Sequence, residues 1–192
     1  MLIATEQNTI VIEGVSWDTY LQMDQLLDDA PVRMKWADDR LEIMSPISRH
    51  HELIKSNIGC MIETYCRRKR LYFRITGSAT MRKDRKRGGE PDDSYILTRG
   101  QETTDLVLEA ALSSGGIDKL DFFRPLQVPE VWVWEHRSLH VFAFRNGDYE
   151  RVTASRFFPG LDLKLVESLA EHPETSDALD EFERALDAQS AS

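Results

Sequence analysis

Cysteine is scarce: the 192-residue chain carries two, Cys60 and Cys66. Six residues apart in a stretch of helical character, they do not share a face, and no further thiol is present to complete a zinc set. Two buried free thiols are expected, because an unpaired cysteine packs as a small hydrophobe. Long apolar runs are missing as well, and none approaches the roughly 18 residues that a membrane span requires. The N-terminal Met1-Leu-Ile-Ala-Thr-Glu6 lacks a basic region followed by an apolar stretch, the pattern of a secretory leader. A cytoplasmic protein without membrane contact is therefore expected. Also absent are the phosphate loops GxGxxG and GxxxxGK[ST], the zinc-protease helix HExxH and the nucleophile elbow GxSxG. No internal repeat or low-complexity tract interrupts the chain.

What is present has a globular composition, 41% hydrophobic and 30% charged, enough for one core in a single domain spanning 1–192. A net charge of −9, taken alone, argues against a polyanionic partner. The distribution of that charge argues the other way. Residues 67–87 hold ten of the 24 basic residues and one acid, Asp84, so this window is +9 and the remainder of the chain is −18. Arg82, Lys83, Arg85, Lys86 and Arg87 close the window and are the candidates for phosphate contact, where each neutralised phosphate releases counterions. A solvated loop that keeps the chain soluble explains the same run.

Acid-bearing strands follow the basic loop at once. Glu90-Pro91-Asp92-Asp93-Ser94 opens a strand expected over 91–97, with Asp92 and Asp93 on opposite faces if it is regular. Asp105-Leu-Val-Leu-Glu109 begins the clearest alternation in the chain, with Leu106, Leu108, Ala110 and Leu112 on one face and Asp105, Val107, Glu109 and Ala111 on the other. Glu109 thus sits mid-strand, where a covered carboxylate needs a metal, a base or water. If the two strands are neighbours their backbones lie about 4.8 Å apart, and Asp92 and Glu109 can converge on one ion. Hard oxygen ligands of this kind suit Mg²⁺ or Mn²⁺. A short helix over 117–126 carries Lys119, which can stabilise phosphorane charge or orient water, or can be a surface lysine in a first helical turn.

The rest of the chain supplies scaffold. Thr9–Glu13 reads as a strand, and Ser16 as the N-cap of a helix through about residue 28. The runs 32–36 and 40–44 form a hairpin about a turn of some three residues, 37–39. Glu42 lies opposite the Leu41 and Ile43 face, as a solvent-facing strand glutamate or a site residue. A helix from 48 or 49 to 68 sets Ile54, Ile58, Met61, Ile62 and Tyr65 in one stripe, with His51 and Glu52 in its first turn. There Glu52 is favoured by the helix dipole alone, so a ligand role for it or for His51 is one alternative of two. A strand is expected over 71–76, then a polar loop over 77–89 containing a short strand near 79–82. Strands over 129–135, 138–144 and 148–153 follow, the last two joined by Asn146-Gly147. Their Trp132, Trp134, Phe142 and Phe144 read as core or dimer contacts rather than base-stacking platforms. Acidic helices over 163–170 and 175–188, within a C-terminal segment of about 163–189, complete the chain.

Arg40-Leu-Glu-Ile-Met-Ser-Pro46, His51-Glu52, Glu90-Pro-Asp92, Asp105-Leu-Val-Leu-Glu109, Lys119 and Val128-Pro-Glu-Val-Trp132 follow one another as in the Uma2 family, also called DUF820. The chain resembles that family over roughly residues 16–153, specifically in order and spacing. The resemblance implies an α/β restriction-endonuclease-like fold of the PD-(D/E)XK type: a mixed central sheet flanked by helices, here with an extra C-terminal hairpin and helices. It also implies metal-dependent hydrolysis of nucleic-acid phosphodiesters. Asp92 matches the motif aspartate, Glu109 the strand carboxylate, and Lys119 a lysine displaced into the next helix. His51, Glu52 and Glu42 match further family positions. Three departures are visible: Thr104 where relatives often have proline, Ala111 where another acid is expected, and Phe123 in place of tyrosine. The expectation is a Mg²⁺- or Mn²⁺-dependent endonuclease acting on DNA, a homodimer with no membrane partner. The alternative is a weakened or inactive nuclease-fold module that binds nucleic acid or protein.

Overall fold

The structure, a computed structural model, describes residues 2–4, 9–27, 32–44, 49–83, 87–111 and 119–190. The chain runs β1 (Leu2–Ala4), β2 (Thr9–Glu13), α1 (Trp17–Leu26), β3 (Arg33–Ala37), β4 (Arg40–Met44), α2 (Arg49–Lys69), β5 (Arg74–Ile75), β6 (Met81–Lys83), β7 (Arg87–Gly89), β8 (Asp93–Ile96) and β9 (Leu106–Ala111). It continues through α3 (Lys119–Phe123), a 3₁₀ turn (Arg124–Leu126), β10 (Glu130–Glu135), β11 (Ser138–Arg145), β12 (Asp148–Val152), α4 (Leu163–Leu169) and α5 (Thr175–Ser190). Among the described residues no helix is long and apolar enough to cross a membrane.

Among the described residues the strands form two six-stranded sheets. One is antiparallel throughout, in the order β1-β2-β4-β3-β7-β6. The other is mixed, in the order β12-β11-β10-β9-β8-β5, with β9 and β10 its parallel pair. The alternation in β9 decides how the mixed sheet is covered. Leu106, Leu108 and Ala110 join Trp132 and Trp134 of β10 on one face, buried against Ile54, Ile58, Met61, Ile62 and Tyr65 of α2 and against Val166, Leu169 and Phe182 of the C-terminal helices. Each such aliphatic side chain contributes about 1.5–3 kcal/mol on burial, so this face carries most of the core. On the opposite face Val107, Val131 and Val133 pack with Phe122 and Phe123 of α3. The antiparallel sheet has its own apolar face, where Met34, Trp36 and Leu41 meet Val15 and Tyr20 below α1. Ser16 caps α1, its hydroxyl accepting from the Thr19 N–H at 3.2 Å.

Local geometry departs from the expectations at several points. The β3–β4 turn has two residues, Asp38 and Asp39, at φ 50° and 59°, a mirror-image hairpin turn whose twist matches that of the strands. The strand expected over 71–76 contracts to Arg74–Ile75 at the sheet edge. The loop over 77–89 holds the β6–β7 pair. Cys66 is buried, but Cys60 is only half-buried. Trp132 and Trp134 are core residues, 0% and 2% exposed. The start of α2 before Arg49 and the segment around Ser113-Gly116 lie outside the described residues.

The segment 90–92 carries the chain from one sheet to the other. Gly89 pairs with Lys35 in the antiparallel sheet, and four residues later Asp93 pairs with Leu108 in the mixed sheet. The polar face of β3 and β4 is thereby brought over Glu109.

Candidate active site at the junction of the two sheets

Asp92 immediately precedes β8, and the register of Asp93 with Leu108 sets it opposite Glu109 of the neighbouring antiparallel strand β9. Glu109 is fully buried and Asp92 is 6% exposed. Asp92 is held from three directions. Arg33 donates to its Oδ1, His51 Nε2 lies 3.0 Å from its Oδ2, and the Ala110 N–H donates to that same oxygen at 2.7 Å. Arg33 also donates to the Glu90 and Pro91 carbonyls, so a single guanidinium fixes the whole 90–92 crossing.

Glu109 has two cationic partners. Lys35 Nζ lies 3.0 Å from each of its oxygens, and Lys119 donates to Oε2. Burial pushes the Asp92 carboxyl upward, but the His51 hydrogen bond and the charges of Lys119 and Arg33 prevail and hold it well below the ordinary carboxylate value. Burial likewise raises Glu109, yet Lys119 and Lys35 keep it below its usual range. The two lysines part company. Burial lowers the Lys35 ammonium against the pull of Glu109, whereas for Lys119 burial is outweighed by Glu109 and Asp92 and the value rises. Three cations, Arg33, Lys35 and Lys119, thus face Asp92 and Glu109, with the Glu90 carboxylate 3.8 Å from Arg33 at the rim.

Glu42 is not solvent-facing. It is 4% exposed, stands directly across β3–β4 from Lys35, and pairs with Arg40 at 3.3 Å. On the same face of the hairpin Lys35 reaches Glu109 of the mixed sheet at 3.0 Å, so this face is turned to the second sheet rather than to water. Glu52 is half-buried and paired with Lys55 at 2.7 Å, beside His51 rather than on Asp92. The structure therefore joins Asp92, Glu109, Lys119 and His51, sets Glu42 next to Lys35, and leaves Glu52 to one side. Arg33 and Lys35 are the residues that strand reading missed. Arg33, Lys35, Glu42 and Arg40 form one polar stripe across the hairpin, and such a stripe reads as a solvated face until a second sheet is known to cover it.

The basic window is split. Arg68 pairs with Glu183 and Asp187 of α5, Arg74 with Glu102, Arg82 with Asp24 and Arg87 with Asp38. Lys83 is exposed, and Arg85 and Lys86 lie outside the described residues.

Hard carboxylate oxygens from adjacent strands are the donors that Mg²⁺ and Mn²⁺ take, so Asp92 and Glu109 fit one such ion. Among the described residues no cluster of three or more His, Cys, Asp and Glu side chains is placed to hold a metal. The remaining ligands would be water and substrate oxygens, as is usual for Mg²⁺.

With this geometry in view, a family model described as "Uma2: Putative restriction endonuclease" matches residues 17–172. The chain belongs to the Uma2 family. A crystal structure of a "putative nuclease belonging to DUF820" from Anabaena variabilis superposes with a TM-score of 0.57 at 13% identity, over 80% of this chain and 98% of that one. At that identity the likeness speaks for the fold, a mixed α/β restriction-endonuclease-like architecture. A DrdV–DNA complex matches 65% of this chain and 14% of its own at 12% identity, with a TM-score of 0.29, too slight a superposition to inform the site. No curated protein matches the sequence. The Uma2 match includes β3, which carries Arg33 and Lys35, as well as the strands of both carboxylates.

Proposed function

We propose that this Uma2 protein is a divalent-metal-dependent endonuclease that hydrolyses nucleic-acid phosphodiester bonds, DNA foremost. The observation that supports it most is the convergence of Asp92 and Glu109 from adjacent strands with Lys119 on the second carboxylate. Asp92 and Glu109 would hold Mg²⁺ or Mn²⁺. Such an ion, when bound, polarises a phosphoryl oxygen and acidifies a water. Lys119 has a side chain 28% exposed and can reach a substrate oxygen, where its charge offsets the negative charge that develops in the transition state. His51 and the Ala110 N–H fix the orientation of the Asp92 carboxylate, and Arg33 fixes the backbone that carries it. Arg82, Lys83 and Arg87, with Arg85 and Lys86, would meet flanking phosphates, a contact for which Arg82 and Arg87 would leave Asp24 and Asp38 and which should be salt-sensitive. The chain 1–192 acts in this reading as one domain, and a pair of copies as the unit that cuts both strands.

A second reading is favoured by the engagement of both Glu109 oxygens by lysines and by Ala111: a nuclease-fold module that binds nucleic acid or protein without cutting. Incubation of the protein with plasmid DNA and with RNA, in Mn²⁺, Mg²⁺ or EDTA, separates the two. Cleavage that needs the metal and disappears in Asp92→Ala is the expected outcome. Cleavage that persists in EDTA or in Asp92→Ala overturns the assignment, and salt-sensitive binding without cleavage moves it to the second reading.

A further inference from the structure

Lys35 and Lys119 both touch Glu109 but differ in their freedom to leave it. Lys119 stands at the first position of α3 with part of its side chain in solvent, so its ammonium can move toward a substrate. Lys35 is enclosed. It is 6% exposed, and its Nζ lies 5.4 Å and 5.8 Å from the ring centroids of Phe122 and Phe123. Its stem runs against Gly89, where an added Cβ would come within 2.8 Å of Lys35 Cγ. An ion arriving at Glu109 would meet a positive charge that cannot withdraw, on a carboxylate both of whose oxygens it already engages at 3.0 Å.

We propose that Lys35 is a built-in competitor of the divalent cation: a positioning residue that holds Glu109 in place and sets the metal affinity of the site low. The proposal rests on the nuclease reading above, in which Glu109 is a metal ligand. Its physical basis is that like charges at this range, within a buried environment, oppose one another strongly. Lys35 thus acts on the ion and not on the substrate.

The test is a Mn²⁺ titration of full-length, chelator-treated protein, with free ion read by electron paramagnetic resonance, on wild type, Lys35→Met, Lys35→Gln, Lys35→Arg and Glu109→Gln. Both neutral variants should bind Mn²⁺ tighter by roughly tenfold or more. Lys35→Arg should stay near wild type, and the rise in melting temperature on adding Mn²⁺ should grow with affinity. Unchanged or weaker binding in folded Lys35→Met or Lys35→Gln overturns the proposal, and if wild type binds while Glu109→Gln does not, the nuclease reading survives that failure. Absence of Mn²⁺ binding in every variant overturns both. If neither neutral variant folds, Lys35 is a structural counter-ion and the proposal is likewise overturned.

Discussion

Glu109 has no exposed surface, and its charge is tolerated because two ammonium groups flank it. Replacing it with alanine would leave Lys35 buried without its carboxylate, and breaking a buried pair from one side costs about 3–5 kcal/mol. Glu109→Ala should lose roughly that amount in urea unfolding; a loss within experimental error would mean that Lys35 reaches water. Acid should expose the same electrostatics. Asp92 and Glu109 are both held below their ordinary values in the fold, while in the unfolded chain they titrate near about 3.9 and 4.3. Their contribution to stability is therefore complete above those unfolded values and is lost as pH falls through the lower folded ones. Urea midpoints measured from pH 7 to pH 2 should drop on the acid side, and Asp92→Asn or Glu109→Gln should flatten that drop. Of these residues, Glu109 stood out in the sequence because an acid at mid-strand on a non-leucine face is conspicuous, Asp92 because it opens the strand after the basic loop, and Lys119 through the family resemblance. Arg33 and Lys35 did not, since a charged alternation on a hairpin is the usual mark of a solvated face. For the same reason the sequence left Glu42 open between a solvated face and the site.

Strand pairing follows periodicity closely where one face is apolar. The sequence expectation placed β9 through β12 and the helices α2, α4 and α5 within a few residues of their observed bounds, because the helices carry clear apolar stripes and the strands strong alternation or β-branched and aromatic content. Short edge elements gave less signal. β5 has two residues and β6 and β7 three each, and their pairing is set by tertiary contact rather than by composition. The β6–β7 pair shows how. Gly88 and Gly89 sit where side chains of neighbouring layers need space: a Cβ at Gly88 would run into the Tyr20 ring, with Cζ and Oη at 2.8 Å, and one at Gly89 would lie 3.0 Å from the Met34 carbonyl. The Tyr20 ring is rigid and itself packs on Trp17 and Trp36, so it cannot give way cheaply. Gly88→Ala is expected to destabilise by about 1–3 kcal/mol, read as a lower urea midpoint with an unchanged slope. A neutral result would mean that β7 and α1 are not in close contact.

Across the whole molecule, the segregation of charge seen in the sequence is resolved in part by folding. Part of the basic excess of residues 67–87 is spent on acids far away in the chain: α5, the most acidic helix, lies along α2 and receives Arg68, while Asp24 and Asp38 receive Arg82 and Arg87. No periodicity argument could foresee this, because the pairs are separated by up to 119 positions. What the fold does concentrate is the junction of the two sheets, where a three-residue crossing places Asp92 beside Glu109 and Lys35 of β3 lies over that carboxylate. The mixed sheet and its helices were legible; the second sheet that closes over the site was not, and it supplies both missed cations. The most direct measurement is a crystal structure of the protein soaked in Mn²⁺, with the ion located by anomalous scattering. An ion coordinated by the carboxylates of Asp92 and Glu109 is the predicted result. Anomalous density elsewhere, or none at a concentration that supports cleavage, would contradict it.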